Sequence, residues 1–359
     1  MKRREFRNIA LIICFFSAFS FLYIGGKFLF ASSAVPADYT GPSENLFNLK
    51  IPKDLHFAGE LIPKNDYSIK ENMEKVFRGG NFEKSTAYIL FSRAATWFPL
   101  IENILRRNHI PDDFKYVALA ESRLTNSTSP QGAVGFWQLI GSTARNYGLE
   151  VSDEVDERYN VEKSTEAACK FLKEAYKKFG NWTLCAAAYN LGMGGIEYHL
   201  KKQPSKDYYD LMMNKETSFY IYHILALKTV FLNSGKKFHG GGRNIYNIPC
   251  MLVPVDSTIN DLAEFARKKN YSYDILKTFN PWLLGNKLSN PEGKRYLIRF
   301  PKKEYLAKLG EETTLPKTDS LLVPATVKTD SVQSDTVRTD LDNISIPLKK
   351  DTEKNEPRK

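Results

Sequence analysis

From Ser85 to Asn108 the apolar residues Tyr88, Phe91, Ala94, Ala95, Phe98, Ile101, Ile104 and Leu105 recur close to every 3.6 positions. That spacing gathers them on one face of a long helix, and such a face must be buried against other elements. Partners follow at once. Residues 114–124 read as a second helix, with Pro111 just before it and Asp112 and Asp113 in its first turn. Residues 164–179 form a third, with Ser164 as its cap and Glu166 in its first turn. The Ala-rich stretch Trp182 to Leu191 is a fourth, short-sided enough to pack closely and stopped by the glycines at 192, 194 and 195. A fifth covers about Ser218 to Asn233. The chain therefore holds a mainly α domain.

One residue does not fit a simple core. Val117 and Ala118 lie four and three positions before Glu121, so the three share a helix face with Phe114. A carboxylate on an apolar face is either a buried structural partner or a group held protonated for chemistry, because desolvation raises its pKa. The stretch from Ser122 to Tyr147 is rich in Ser, Thr, Asn and Gly and then presents Gly135-Phe136-Trp137-Gln138. An aromatic and an amide beside a buried Glu suit a saccharide cleft; a core Trp with an incidental Gln gives the same spacing. Tyr189 and Asn190, at the end of the fourth helix, are cap residues or cleft residues on the same terms.

The ends of the chain set its surroundings. Lys2-Arg3-Arg4 and Arg7 precede the apolar run Ile9 to Gly25, and small residues follow at Ala31-Ser32-Ser33-Ala34. Residues 1–34 are a secretory signal peptide or, since the run approaches the roughly 17-residue minimum of a membrane span, a signal anchor. Either places the rest of the chain outside the cytoplasm, with membrane association through the apolar segment in the second case. Residues 35–84 form a lead-in that packs on the helical domain, with a short extended piece at Phe57-Ala58-Gly59-Glu60. The helical domain spans 85–235. A basic, Gly-rich linker covers 236–247. A small β-α-α-β module occupies 248–303, with Ser257 or Thr258 capping its first helix and an insertion around Leu283 to Gly293. Residues 311–359, where Lys317-Thr318-Asp319-Ser320 recurs as Lys328-Thr329-Asp330-Ser331, have too few apolar groups to fold and form a disordered tail. The formal net charge of +10 suits a polyanionic partner, but no basic run with interleaved aromatics marks a nucleic-acid surface. Cys14 falls in the signal; Cys169 and Cys185 lie on adjacent helices, where they either meet or are small buried residues. No Cys or His spacing suggests a metal, and no cofactor is implied.

Several stretches match one family. Ala120-Glu121-Ser122, then Ser129-Pro130-Gln131-Gly132-Ala133-Val134-Gly135-Phe136-Trp137-Gln138, then Ala187-Ala188-Tyr189-Asn190 resemble the lytic transglycosylase (SLT, lysozyme-like) domain. Phe57-Ala58-Gly59-Glu60, Phe98-Pro99-Leu100-Ile101-Glu102, Val155-Asp156-Glu157-Arg158 and Ser164-Thr165-Glu166-Ala167-Ala168 extend the likeness, which is greatest to the membrane-bound lytic murein transglycosylase D group. Asp256-Ser257-Thr258-Ile259, Ile275-Leu276 and Asn280-Pro281 are similar to a LysM module, without the glycine usual before Asp256. The resemblance implies a goose-type lysozyme-like fold, the glycan strands of peptidoglycan as partner, and the periplasm or cell envelope of a bacterium as location. The implied reaction is cleavage of the MurNAc-GlcNAc β-1,4 bond to 1,6-anhydro ends. Glu121 would be general acid and then base. Ser129 and Gln138 would contact N-acetyl sugars, Tyr189 and Asn190 would line the cleft, and Tyr220 would hydrogen-bond Glu121. The acidic group Asp153-Glu154 and Asp156-Glu157 is read as a turn and helix entry, and is the place to look for a second carboxylate. Hydrolysis of the same bond and non-catalytic wall binding are the alternatives.

Overall fold

The computed structural model describes residues 52, 54–63, 67–79, 84–234 and 248–305, all within one compact unit. The signal, linker and tail readings lie outside the described residues. Within them the chain is mainly helical. A small hairpin, β1 (His56–Phe57) and β2 (Glu60–Leu61), leads into α1 (Tyr67–Gly79) and α2 (Lys84–Arg107). A 3-10 turn at Asp112–Phe114 enters α3 (Lys115–Ser122), and α4 (Gly141–Asn146) follows a long loop. Then come α5 (Val161–Phe179), α6 (Trp182–Leu191), α7 (Met193–Lys202) and α8 (Lys215–Ser234). The C-terminal module is β3 (Cys250–Val255), α9 (Leu262–Lys268), α10 (Tyr273–Phe279) and β4 (Tyr296–Pro301).

The apolar face of α2 buries Ile101, Ile104 and Leu105 in one core with Val117 and Ala118 of α3 and the alanines of α6. The alanines at 186–188 are fully buried, and their short side chains let α6 lie at the centre, against α5, α7 and α8. Cys169 and Cys185 are free and buried in that core. Trp137 is core too: it is wholly buried, and its indole N–H donates to Thr165 Oγ1 at 2.8 Å.

The sequence misplaced several helix ends. The cap of α5 is Asn160, whose side chain accepts from the Lys163 N–H, so that helix starts three residues ahead of Ser164. The cap of α9 is Asp261, not Ser257 or Thr258, and Thr258 Oγ1 instead accepts from the Asn290 N–H. Any of these short polar residues can cap, and tertiary contacts chose the one that is free to do so. Gly192 ends α6 as expected, but with φ +82° it also turns the chain directly into α7, a helix the glycine run had hidden.

The hairpin at 56–61 turns through Ala58 and Gly59, both at positive φ, which is the twist a two-residue hairpin needs. Its groups clip three helices. Glu60 accepts from the Trp182 and Thr183 N–H groups at the start of α6 (2.5 and 2.9 Å) and from the Thr183 hydroxyl (2.7 Å). The Ala58 N–H donates to Asp113 Oδ2 at 2.7 Å, beside the entry to α3. Lys228 of α8 donates to Asp113 Oδ2 (2.8 Å) and to the His56 carbonyl (2.7 Å). Asp113, expected to serve the dipole of its own helix, is drawn instead to the buried ammonium of α8.

Candidate active site

The three clipped helices carry Glu121, Tyr189, Asn190 and Tyr220, four of the candidate residues. Glu121 sits in the last turn of α3, which ends with Arg123 and Leu124 both in the left-handed region (φ +54° and +55°). Two successive non-glycine residues in that region reverse the chain sharply, and such backbone is costly unless its surroundings hold it. Here Arg93 of α2 donates to the Arg123 carbonyl at 3.2 Å, and Leu124 is buried. Ser122 bonds the Phe136 carbonyl at 2.9 Å, tying α3 to the loop that follows.

The Glu121 side chain is half-buried, over the fully buried Val117 and Ala118. Its Oε1 accepts from the Tyr220 hydroxyl of α8 at 2.5 Å. Burial raises the Glu121 pKa to about 7; the Tyr220 hydrogen bond works against this, and the Glu216 charge adds to it. Tyr220 itself is wholly buried, and burial and the Glu121 charge hold its hydroxyl well above the usual tyrosine range.

Tyr189 and Asn190 come from the last turn of α6. The Tyr189 hydroxyl donates to the Trp137 carbonyl at 2.7 Å; burial and then the Glu121 charge raise its pKa. Asn190 bridges the start of α8, donating to Glu216 Oε1 at 3.0 Å and accepting from the Thr217 hydroxyl at 2.8 Å. Ser129 and Gln138 lie on the loop between α3 and α4. Ser129 Oγ accepts from the Ala133 N–H at 3.0 Å. Gln138 has φ +46°, and its amide N–H groups go to the carbonyls of Ser127 (3.0 Å) and Gly135 (2.8 Å). Glu121, Tyr220, Tyr189, Asn190 and Glu216 are thus linked through direct bonds or electrostatic reach, while the recorded bonds of Ser129 and Gln138 shape their own loop.

Glu216 is the residue sequence reading missed. Its signal was present: it precedes Tyr220 by four positions, so both share a face of α8. The other acidic cluster lies elsewhere in the bonding pattern. Asp156 pairs with Arg158, Glu157 with Lys163, and Glu154 with Lys287. Glu157 is nearly inaccessible and bonds the Glu150 N–H, so these carboxylates build a turn, as their spacing suggested.

Gly135 carries the tightest steric requirement of the loop. It has φ +79°, and a Cβ there would stand 2.2 Å from the Arg158 carbonyl oxygen. Gly135→Ala is expected to cost about 3 kcal/mol from strain and overlap together. Urea unfolding measures this, and a loss below about 1 kcal/mol would mean the loop yields around Arg158.

Among the described residues no group of His, Cys, Asp and Glu could hold a metal ion, and no helix is long and apolar enough to cross a membrane. The Transglycosylase SLT domain family matches residues 98–212, and the soluble lytic transglycosylase C-terminal LysM-like domain family matches residues 252–304. The chain is 32% identical over 249 residues to membrane-bound lytic murein transglycosylase D of Escherichia coli (strain K12), covering 67% of this chain and 53% of the relative. It is also 32% identical over 107 residues to a protein of Alteromonas sp. (strain M-1) named for tributyltin chloride resistance, covering 29% of this chain and 52% of that one. The chain thus spans about half the length of the curated relatives it matches. Among solved structures, an inactive mutant of the lytic transglycosylase Slt from Pseudomonas aeruginosa aligns at 15% identity and a TM-score of 0.28, over 45% of this chain and 25% of that one. The two family matches, in this order along the chain, make it a transglycosylase SLT-domain protein with a C-terminal LysM-like domain, related to membrane-bound lytic murein transglycosylase D.

Proposed function

We propose that the chain is a peptidoglycan lytic transglycosylase that cleaves the MurNAc-GlcNAc β-1,4 bond without water. The observation that carries this is the half-buried carboxyl of Glu121, raised to about 7 by burial and held by Tyr220. A carboxyl poised there is protonated in a useful fraction near neutral pH, and its conjugate base is strong enough to take a proton back. Glu121 gives its proton to the glycosidic oxygen as the bond from C1 of MurNAc to that oxygen breaks. The GlcNAc-bearing chain leaves with a new hydroxyl. Positive charge develops at C1, where the substrate's own N-acetyl group assists. The Glu121 carboxylate then removes the proton of the MurNAc C6 hydroxyl, whose oxygen closes on C1. This gives the 1,6-anhydro end and restores the acid. The closing hydroxyl is tethered to the same ring, so proximity favours it over water.

Tyr220 has a defined part in this cycle. Its hydroxyl fixes the carboxyl and favours its ionised form. Tyr189 and Asn190 hold the cleft wall and the start of α8, and Ser129 and Gln138 present the loop to the N-acetyl sugars. Tyr220→Phe is expected to lower kcat about tenfold, by removing a hydrogen bond to a charged group. The Glu121 pKa then moves further up, so the high-pH limb of the rate profile moves to higher pH. A limb that stays in place, or moves down, would show that Tyr220 does not act on Glu121.

Product analysis tests the reaction itself. Purified sacculi are digested with the protein and the new termini are weighed by mass spectrometry. Anhydro-MurNAc ends are expected; reducing ends would assign a hydrolase, and no new ends would leave only a wall-binding role.

A further inference from the structure

The C-terminal module touches the helical domain at the acidic turn, and that turn is wired to the cleft loop. The insertion between α10 and β4 adds backbone pairing to residues 154–156. The Asp156 N–H donates to the Trp282 carbonyl at 2.9 Å, and the Leu284 N–H donates to the Glu154 carbonyl at 2.8 Å. Val155 and Leu283 form a bridge there, and both are buried in an apolar cluster shared by the two parts. Polar groups fix the same seam, with Ser289 on Glu154 (2.7 Å) and Tyr296 on Glu150 (2.9 Å).

Arg158 carries the order inward. Asp156 holds its guanidinium bidentately, at 2.9 Å to Nε and 2.7 Å to Nη2. The remaining nitrogen, Nη1, donates to the carbonyls of Gly132 (2.9 Å) and Leu139 (3.0 Å), the two ends of the 132–139 segment of the cleft loop. Both Asp156 and Arg158 are buried, so neither swings freely. Between those ends the loop supplies the Phe136 carbonyl to Ser122, next to Glu121, and the Trp137 carbonyl to Tyr189.

We propose that the LysM-like module is a structural part of the active centre, and that Arg158 is the positioning residue through which it holds the cleft loop against Glu121 and Tyr189. The module's insertion is thereby spent on its own chain. An ammonium in place of the guanidinium offers no planar fork to Asp156, but it keeps the charge and can reach one loop carbonyl.

The test uses full-length variants on soluble glycan strands, with sacculi co-sedimentation and melting followed in parallel. Arg158→Met is expected to lower kcat about 30-fold below its melting midpoint, a loss in keeping with a small misplacement of catalytic groups. KM and co-sedimentation should stay within about twofold, because the recruiting surfaces are untouched. Arg158→Lys should recover part of kcat. Leu283→Ala, which loosens the seam from the module's side and carries the test if Arg158→Met fails to fold, should cost about fivefold in kcat. Lys268→Ala, on the exposed side of the module, should leave activity unchanged. A folded Arg158→Met with normal kcat overturns the inference, as does a loss confined to KM and co-sedimentation, which would make the module a glycan recruiter. The inference rests on the proposed function, so Glu121→Gln is assayed beside these. An active Glu121→Gln overturns the proposed function; an inert one beside a fully active Arg158→Met overturns the brace alone.

Discussion

Glu121→Gln is expected to lower release of muropeptides from sacculi by on the order of 10³-fold, while the protein remains folded and bound to the wall. Gln keeps the size of the side chain and can still accept from Tyr220, but it can neither give nor take the proton. The same variant should be more stable than the parent at alkaline pH. In the folded chain burial lifts the Glu121 pKa to about 7, whereas the unfolded chain ionises near 4.5. Between those values the folded state binds the proton more tightly, so the wild type loses stability as pH rises from about 4.5 to 7 and stays at the lower level above it. Gln has no proton to lose and escapes that decline. The kinetic counterpart is a wild-type rate that falls as pH rises through about 7, since the reaction starts from the protonated acid. Chemical denaturation of both proteins at pH 5 and pH 8, beside the rate profile, checks all three. A Gln variant that releases muropeptides, or one that gains no relative stability between those pH values, contradicts the role given to Glu121.

Asp113→Ala should have the largest effect on stability away from the cleft. Asp113 and Lys228 form a buried pair, with side chains 15% and 6% exposed, and Asp113 also takes the Ala58 N–H. Removing the carboxylate strands a buried ammonium that still donates to the His56 carbonyl. Breaking such a pair on one side costs about 3–5 kcal/mol, far more than a surface pair. A drop in melting temperature of about 10 °C is the expected result for a domain of this size. Asp113→Ala combined with Lys228→Met should recover most of it, because no charge is then left unpaired. If the double variant is as unstable as the single, the loss comes from the hairpin contact and not from the ion pair. Activity should fall with the single variant as well, since this pair fastens the hairpin to α8, the helix that supplies Tyr220.

Much of the arrangement was legible in the residues taken in order. The 3.6-residue period gave the helical elements, because an apolar stripe has one cheap solution in water. The span of α6 was read to the residue, since both of its ends are marked by local chemistry, Asn181 before it and Gly192 after it. Helix starts went wrong at α5 and α9, where several residues able to cap stood within a few positions of one another and only a contact from elsewhere could choose between them. Trp137 stood equally for cleft wall or core until Thr165, on α5, took its indole N–H.

The sequence by itself determined that Glu121 shares an apolar helix face; Tyr189, Asn190 and Tyr220 were assigned to its surroundings only through the family resemblance. Helical periodicity is a property of the local chain, so it needs no third dimension. Only the tertiary structure decided what sets the proton affinity of that carboxyl. Its neighbours Tyr220 and Glu216 come from a helix almost a hundred residues away, and desolvation depends on everything packed around it. The same holds for Arg158, which sequence shows as one basic residue in an acidic turn. Its two loop carbonyls and its buried partner Asp156 are brought together as a set only by the fold.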